Sequence, residues 1–150
     1  IGNACGTIAC LHAVANAAAD GAFALEAGSA LQQFVETTTP LGVAERGWAL
    51  ARCKELQELS DATAAAGETA GAGTDDAQGQ HFIAFVHVGG LLWECDGRTT
   101  TSDGVAFPFC HGATTAETFV ADAAKVIRDD FMARDPESLA FNVTALCPLD

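Results

Sequence analysis

Ile1–Asp20, IGNACGTIACLHAVANAAAD, is the stretch from which the rest of the chain is read. Ile8, Leu11, Val14, Ala15 and Ala18 fall on every side of a helical cylinder. A helix apolar all round belongs in the middle of a core, and that position is expected here. Asn3 suits the N-cap position, which puts Cys5 in the first turn. There, unpaired backbone N–H groups and the positive end of the helix dipole favour a thiolate. Gly6 beside it leaves space for another backbone to approach. A cysteine in an apolar helix is also commonly an inert small side chain. From this stretch alone both readings stay open.

Composition narrows the classes. One hundred and fifty residues suit a single domain, and 49% hydrophobic content is ample for a core. A net charge of −13 argues against nucleic acid or an anionic membrane as partner. It fits a partner bearing basic groups, or simply a well-solvated surface. The Ile1–Asp20 helix is too short and too rich in alanine to span a membrane, and no signal peptide is visible. The chain starts at Ile1 and its one methionine is Met132, so it reads as part of a longer product. Six cysteines are present, without the CxxC pairs of a zinc site. The closest approaches, Cys10 with His12 and Cys110 with His111, are weak ligand pairs. A chain with this much core does not need a disulfide framework, so reduced thiols and a cytoplasmic location are expected.

Further along, Ser29 caps a second helix to about Thr37, and Thr39-Pro40 signals another start. The helical region after it runs to about Leu59, with Trp48, Cys53, Leu56 and Leu59 expected inside. Ala64–Gln80 is small and acidic, without periodicity, and is expected to be a mobile loop.

Immediately after it comes HFIAFVHVGGLLWECDGR, two strand-like runs about Gly89-Gly90. With those glycines as the turn, Val88 faces Leu91, Ile83 faces Asp96 and His81 faces Arg98. His81 and Asp96 are then diagonal neighbours on one face, within reach of an imidazole–carboxylate hydrogen bond. Asp96 would hold the ring in one tautomer and favour the imidazolium. A slip of one residue would abolish the pairing. His87 and Glu94 share that face, so register alone does not single out His81; its place beside the loop does. A solvent-facing histidine and a plain Asp-Gly turn are the competing readings.

Val105–Phe109 is expected to be a strand closed by Pro108, with His111 in a loop after it. Thr114 and Glu117 suggest a capping box opening an amphipathic helix, with Phe119, Ala123, Val126, Ile127 and Phe131 inward. Arg134-Asp135-Pro136 ends that helix, and Phe141 to Cys147 alternates like a last strand. His12 reads as a core histidine.

These stretches resemble a known family. IGNACGTIACLHAVANAA looks like the nucleophile segment of the ubiquitin C-terminal hydrolases, which are papain-like cysteine peptidases. HFIAFVHVGGLLWECDGR resembles their histidine and aspartate segment, and RDPESLAFNVTAL their closing passage. The likeness runs nearly end to end in the order Cys, His, Asp. It implies an α+β fold in which residues 1–150 form the catalytic domain, an antiparallel sheet packed by helices around a central nucleophile helix. It also implies Cys5 as nucleophile, His81 as general base and proton donor, and Asp96 as the group orienting the histidine. Residues 64–80 correspond to the family's active-site crossover loop, which limits adduct size. The implied activity is thiol-dependent hydrolysis of bonds to ubiquitin's C-terminal glycine, by a monomer that needs no cofactor or metal. Ubiquitin and its adducts are the implied partners, with small adducts favoured.

Two departures stand beside the likeness. The family's oxyanion-hole glutamine falls upstream of Ile1, so the chain reads as N-terminally truncated. The alternative it leaves is a catalytically impaired ubiquitin-binding module. Cys95 also occupies a position where family members usually carry an aliphatic residue.

Overall fold

A computed structural model of the chain describes residues 4–66, 81–104 and 107–147. Four helices come first: α1 Cys5–Ala19, α2 Ala30–Thr38, α3 Val43–Arg52 and α4 Lys54–Ala66. Three strands follow, β1 Ala84–Val88, β2 Leu91–Cys95 and β3 Phe109–Ala113, and then α5 Phe119–Val126. A π-helical turn at Ile127–Phe131 and a 3-10 turn at Met132–Arg134 carry α5 to its end beside Pro136. The architecture is α+β, with helices about one antiparallel sheet in the order β1-β2-β3.

The hairpin forms in the expected register, from Ala84 opposite Cys95 to Val88 opposite Leu91. Gly89 and Gly90 both have positive φ, 61° and 76°, which the tight turn requires and side-chain-bearing residues resist. Ala84, Val86 and Leu92 are buried, as are Leu56 of α4 and Ala123 of α5. Phe82 shares the face of Ala84 and Val86 by alternation, and its ring lies where a Cβ on Gly6 would meet it at 3.7 Å. The first turn of α1 is thereby set against the start of the hairpin, and Thr7 bonds Ser60 of α4 at 2.8 Å. On the other face, Phe131 packs edge-on against Phe85 with ring centroids 6.1 Å apart.

Several expectations are corrected. No residue of α1 is fully buried: it is half-buried round most of its circumference, with only Cys10, His12 and Ala19 exposed. His12 is exposed instead of lying in the core. The cap position of α1 is Ala4, and the expected cap Asn3 lies outside the described residues. Thr39-Pro40 opens no helix: Thr39 closes α2 through its N–H to Val35. α3 starts at Val43 instead, where Glu45 accepts a 3.0 Å hydrogen bond from the Gly42 N–H. Cys53, with extended backbone, separates α3 from α4, and Trp48 and Leu59 point outward at 65% and 57% exposure.

α4 continues through Ala66, so 64–66 are helical, and the rest of the 64–80 stretch lies outside the described residues. Val105 and Ala106 also lie outside them, and β3 runs over Phe109–Ala113, which includes His111. The capping box at Thr114 does not form. Thr115 and Thr118 bond one another through backbone and hydroxyl, and the helix starts at Phe119. Residues 141–147 are exposed and irregular, since among the described residues no strand pairs with them.

Candidate active site

Cys5 enters its surroundings at the first residue of α1, where the helix's N–H dipoles converge. It is half-buried in a groove of about 400 Å³ that it shares with Ile8 on the helix side. His81, Phe82, Cys95 and Arg98 line the hairpin side. The two sequence segments, 76 positions apart, therefore meet at one opening. The two glycines of the turn set the register that pairs His81, at that opening, with Asp96.

Asp96 Oδ1 lies 2.6 Å from His81 Nε2, and the side chains are only 15% and 21% exposed. The same oxygen accepts the backbone N–H of Arg98 at 2.8 Å, and the Thr99 N–H bonds the Asp96 carbonyl at 3.0 Å. This is the turn chemistry of an aspartate before glycine, and it fixes the carboxylate independently of the histidine. Turn residue and histidine partner, which the sequence presents as rival readings, are one arrangement.

With Nε2 engaged by a carboxylate, neutral His81 carries its proton there and keeps an acceptor lone pair on Nδ1. Nδ1 is buried and has no hydrogen-bond partner among the described residues. An acceptor nitrogen held in this way can take a proton from a thiol or a water that reaches it.

His87 and Glu94, also on the His81 face, are committed elsewhere. His87 Nδ1 lies 3.1 Å from Asp20 Oδ2 at the end of α1. Glu94 Oε2 lies 2.7 Å from His111 Nε2, with both side chains nearly buried. β2 and β3 change register between Leu92 and Trp93, so Leu92 pairs with Gly112 and Trp93 with Cys110. His111 is the extra residue of that bulge, and bulges re-aim side chains. Its role as Glu94's partner was not read from the sequence, because one unmatched residue leaves no periodic signal.

The groove holds a second cysteine, Cys95. Burial, and then the neighbouring Glu94 carboxylate, push the Cys95 thiol up to about 11, so it is protonated at neutral pH. None of the six cysteines is disulfide-bonded. No group of three or more His, Cys, Asp or Glu residues disposed to hold a metal ion occurs among the described residues. No helix among them is long and apolar enough to cross a membrane.

Comparison with known proteins gives a consistent result. Residues 1–133 match the family described as "Ubiquitin carboxyl-terminal hydrolase, family 1". A ubiquitin carboxyl-terminal hydrolase of Drosophila melanogaster is 42% identical over 144 residues, covering 96% of this chain and 58% of that protein. One from Aplysia californica is 39% identical over 137 residues, 91% of this chain and 60% of its own length. The human ubiquitin carboxyl-terminal hydrolase isozyme L1 is 39% identical over 147 residues, 98% of this chain and 60% of its own. The chain thus spans about three-fifths of the length of the curated relatives it matches.

Proposed function

The chain belongs to family 1 of the ubiquitin carboxyl-terminal hydrolases, and from that membership we propose that it carries out their cysteine-peptidase chemistry on bonds to ubiquitin's C-terminal glycine. The observation that carries this reading is the 2.6 Å bond from His81 Nε2 to Asp96, which leaves Nδ1 as the working nitrogen of a groove that Cys5 shares.

In this mechanism Cys5 is the nucleophile, His81 the general base and Asp96 the group that orients the ring. His81 Nδ1 takes the Cys5 proton, and the sulfur attacks the glycine carbonyl. Negative charge gathers on the carbonyl oxygen, where the Cys5 backbone N–H at the helix start can donate. Collapse expels the leaving amine or thiol with the proton from His81. Water, giving its proton to the same nitrogen, then hydrolyses the thioester and releases the carboxylate. Asp96 stabilises the imidazolium that forms. By resemblance the second oxyanion donor is a glutamine upstream of Ile1, and such a donor is worth roughly 10²–10³ in rate.

Ubiquitin as partner is supported by charge, since a protein of net charge −13 attracts a substrate whose tail is basic. Residues 64–80 are assigned to the crossover segment by sequence position alone, directly before His81. Six cysteines without a disulfide favour a cytoplasmic location. The test is reaction of the full-length protein with a ubiquitin bearing a C-terminal electrophile. Adduct formation at Cys5 is expected, and binding without an adduct would reduce the chain to a binding module.

A further inference from the structure

Cys95 has no part in the mechanism above, yet it lines the same groove as Cys5. The hairpin register gives it a direction. Cys95 stands opposite Ala84, so it shares a face with Ala84 and, by alternation, with Phe82. The Phe82 ring abuts Gly6, the residue next to Cys5 in the first turn of α1. Cys95 and Phe82 thus line the groove beside the helix start that carries Cys5.

We propose that Cys95 is a resolving thiol for Cys5: when hydrogen peroxide oxidises Cys5, Cys95 closes a disulfide with it and so protects the site from irreversible oxidation. The inference rests on the assignment of Cys5 as the reactive thiol. In the first step the Cys5 thiolate attacks one peroxide oxygen, the O–O bond breaks, and the hydroxide released is protonated to water. Cys5 is then a sulfenic acid, oxidised by the two electrons that reduced the peroxide. In the second step the Cys95 sulfur attacks the Cys5 sulfur, the S–O bond breaks, and the departing hydroxyl leaves as water with the Cys95 proton. A thiol reductant returns both cysteines to the starting state by exchange.

The division of labour fits the two environments. Cys95, protonated at neutral pH, is a poor direct target for peroxide and remains reduced until Cys5 has reacted. Cys10, Cys53, Cys110 and Cys147 do not line the groove, and Cys10 lies more than a helical turn beyond Cys5 on α1. A disulfide requires Cα atoms about 5.5–6 Å apart in its commonest geometry. The linkage itself is therefore what must be observed.

The test treats dilute full-length protein with a small excess of hydrogen peroxide and maps its peptides under non-reducing conditions. A Cys5–Cys95 linked peptide is expected, and dithiothreitol should restore most of the alkylation of Cys5 by iodoacetamide. In Cys95→Ala and Cys95→Ser, Cys5 should accumulate as the sulfinic acid, with recovery reduced several-fold. Sulfinic Cys5 in the unmutated protein beside reduced Cys95, or linkage of Cys5 to Cys10, would overturn the proposal while leaving Cys5 the reactive thiol. A Cys5 that neither oxidises nor alkylates would overturn both assignments.

Discussion

His111 Nε2 lies 2.7 Å from Glu94 Oε2, so one of the hairpin's two acidic side chains is taken by a histidine of the neighbouring strand. The rings of Phe85 and Phe109 flank His111, with centroids 5.8 and 4.9 Å from it, and the paired side chains are only 10% and 11% exposed. Asp96, two residues further on, is left to His81. The bulge in β3 thus distributes two carboxylates between two histidines.

Glu94→Gln separates these pairs. It leaves a nearly buried histidine without its anion, and a loss of about 1–3 kcal/mol of stability is expected. Reactivity of Cys5 should be unchanged at a temperature where both proteins are folded. Chemical denaturation and the alkylation rate of Cys5, measured together, check this.

Asp96→Asn isolates charge from geometry. Asp96 uses a single oxygen, Oδ1, towards both His81 and the Arg98 N–H, and an asparagine carbonyl can keep both contacts. What disappears is the negative charge that stabilises the imidazolium. Turnover by the full-length protein should fall on the order of 10³–10⁴-fold with little change in stability. A loss no larger than that of Glu94→Gln would show that the wrong carboxylate has been assigned.

Gly90→Ala probes the turn. Nothing lies within 4 Å of the Cβ it would add, so any cost comes from the φ of +76° and not from a clash. About 1–2 kcal/mol of destabilisation is expected, read from thermal unfolding. Gly97→Ala, in an open position without positive φ, should cost less.

Stability at alkaline pH should report Cys95. Its folded value, about 11, lies above the ordinary thiol value of 9.0, so its contribution is fully present below pH 9. It is lost as the pH rises through 11, because the unfolded chain ionises first. The chain has no tyrosine, and its two lysines are Lys54 and Lys125, so Cys95→Ala is the control that separates this thiol from the lysines and the other five cysteines. The unfolding midpoint should fall between pH 9 and 11, and Cys95→Ala should flatten the fall.

The hairpin and its His81–Asp96 pair were legible because a glycine pair fixes register, and register fixes every facing residue. Cys5 was legible as a helix-start thiol for a similarly local reason. So was α2, whose Ser29 cap accepts the Gln32 N–H; what was missed depended on packing that one chain's periodicity does not encode. Trp48 and Leu59 keep helical spacing yet point outward, and the alternation of Phe141 to Cys147 finds no strand to pair with among the described residues. His111 was placed in a loop because a bulge adds one residue without any compositional mark.

The central claim is that Cys5 is the nucleophile, served by His81 and Asp96. The most direct measurement is mapping of the covalent adduct formed by full-length protein with a ubiquitin carrying a C-terminal electrophile. The account predicts one adduct, on Cys5, absent in Cys5→Ala, retained in Cys10→Ala and formed much more slowly in Asp96→Asn. An adduct on Cys95 or Cys10, or one that survives Cys5→Ala, would contradict it.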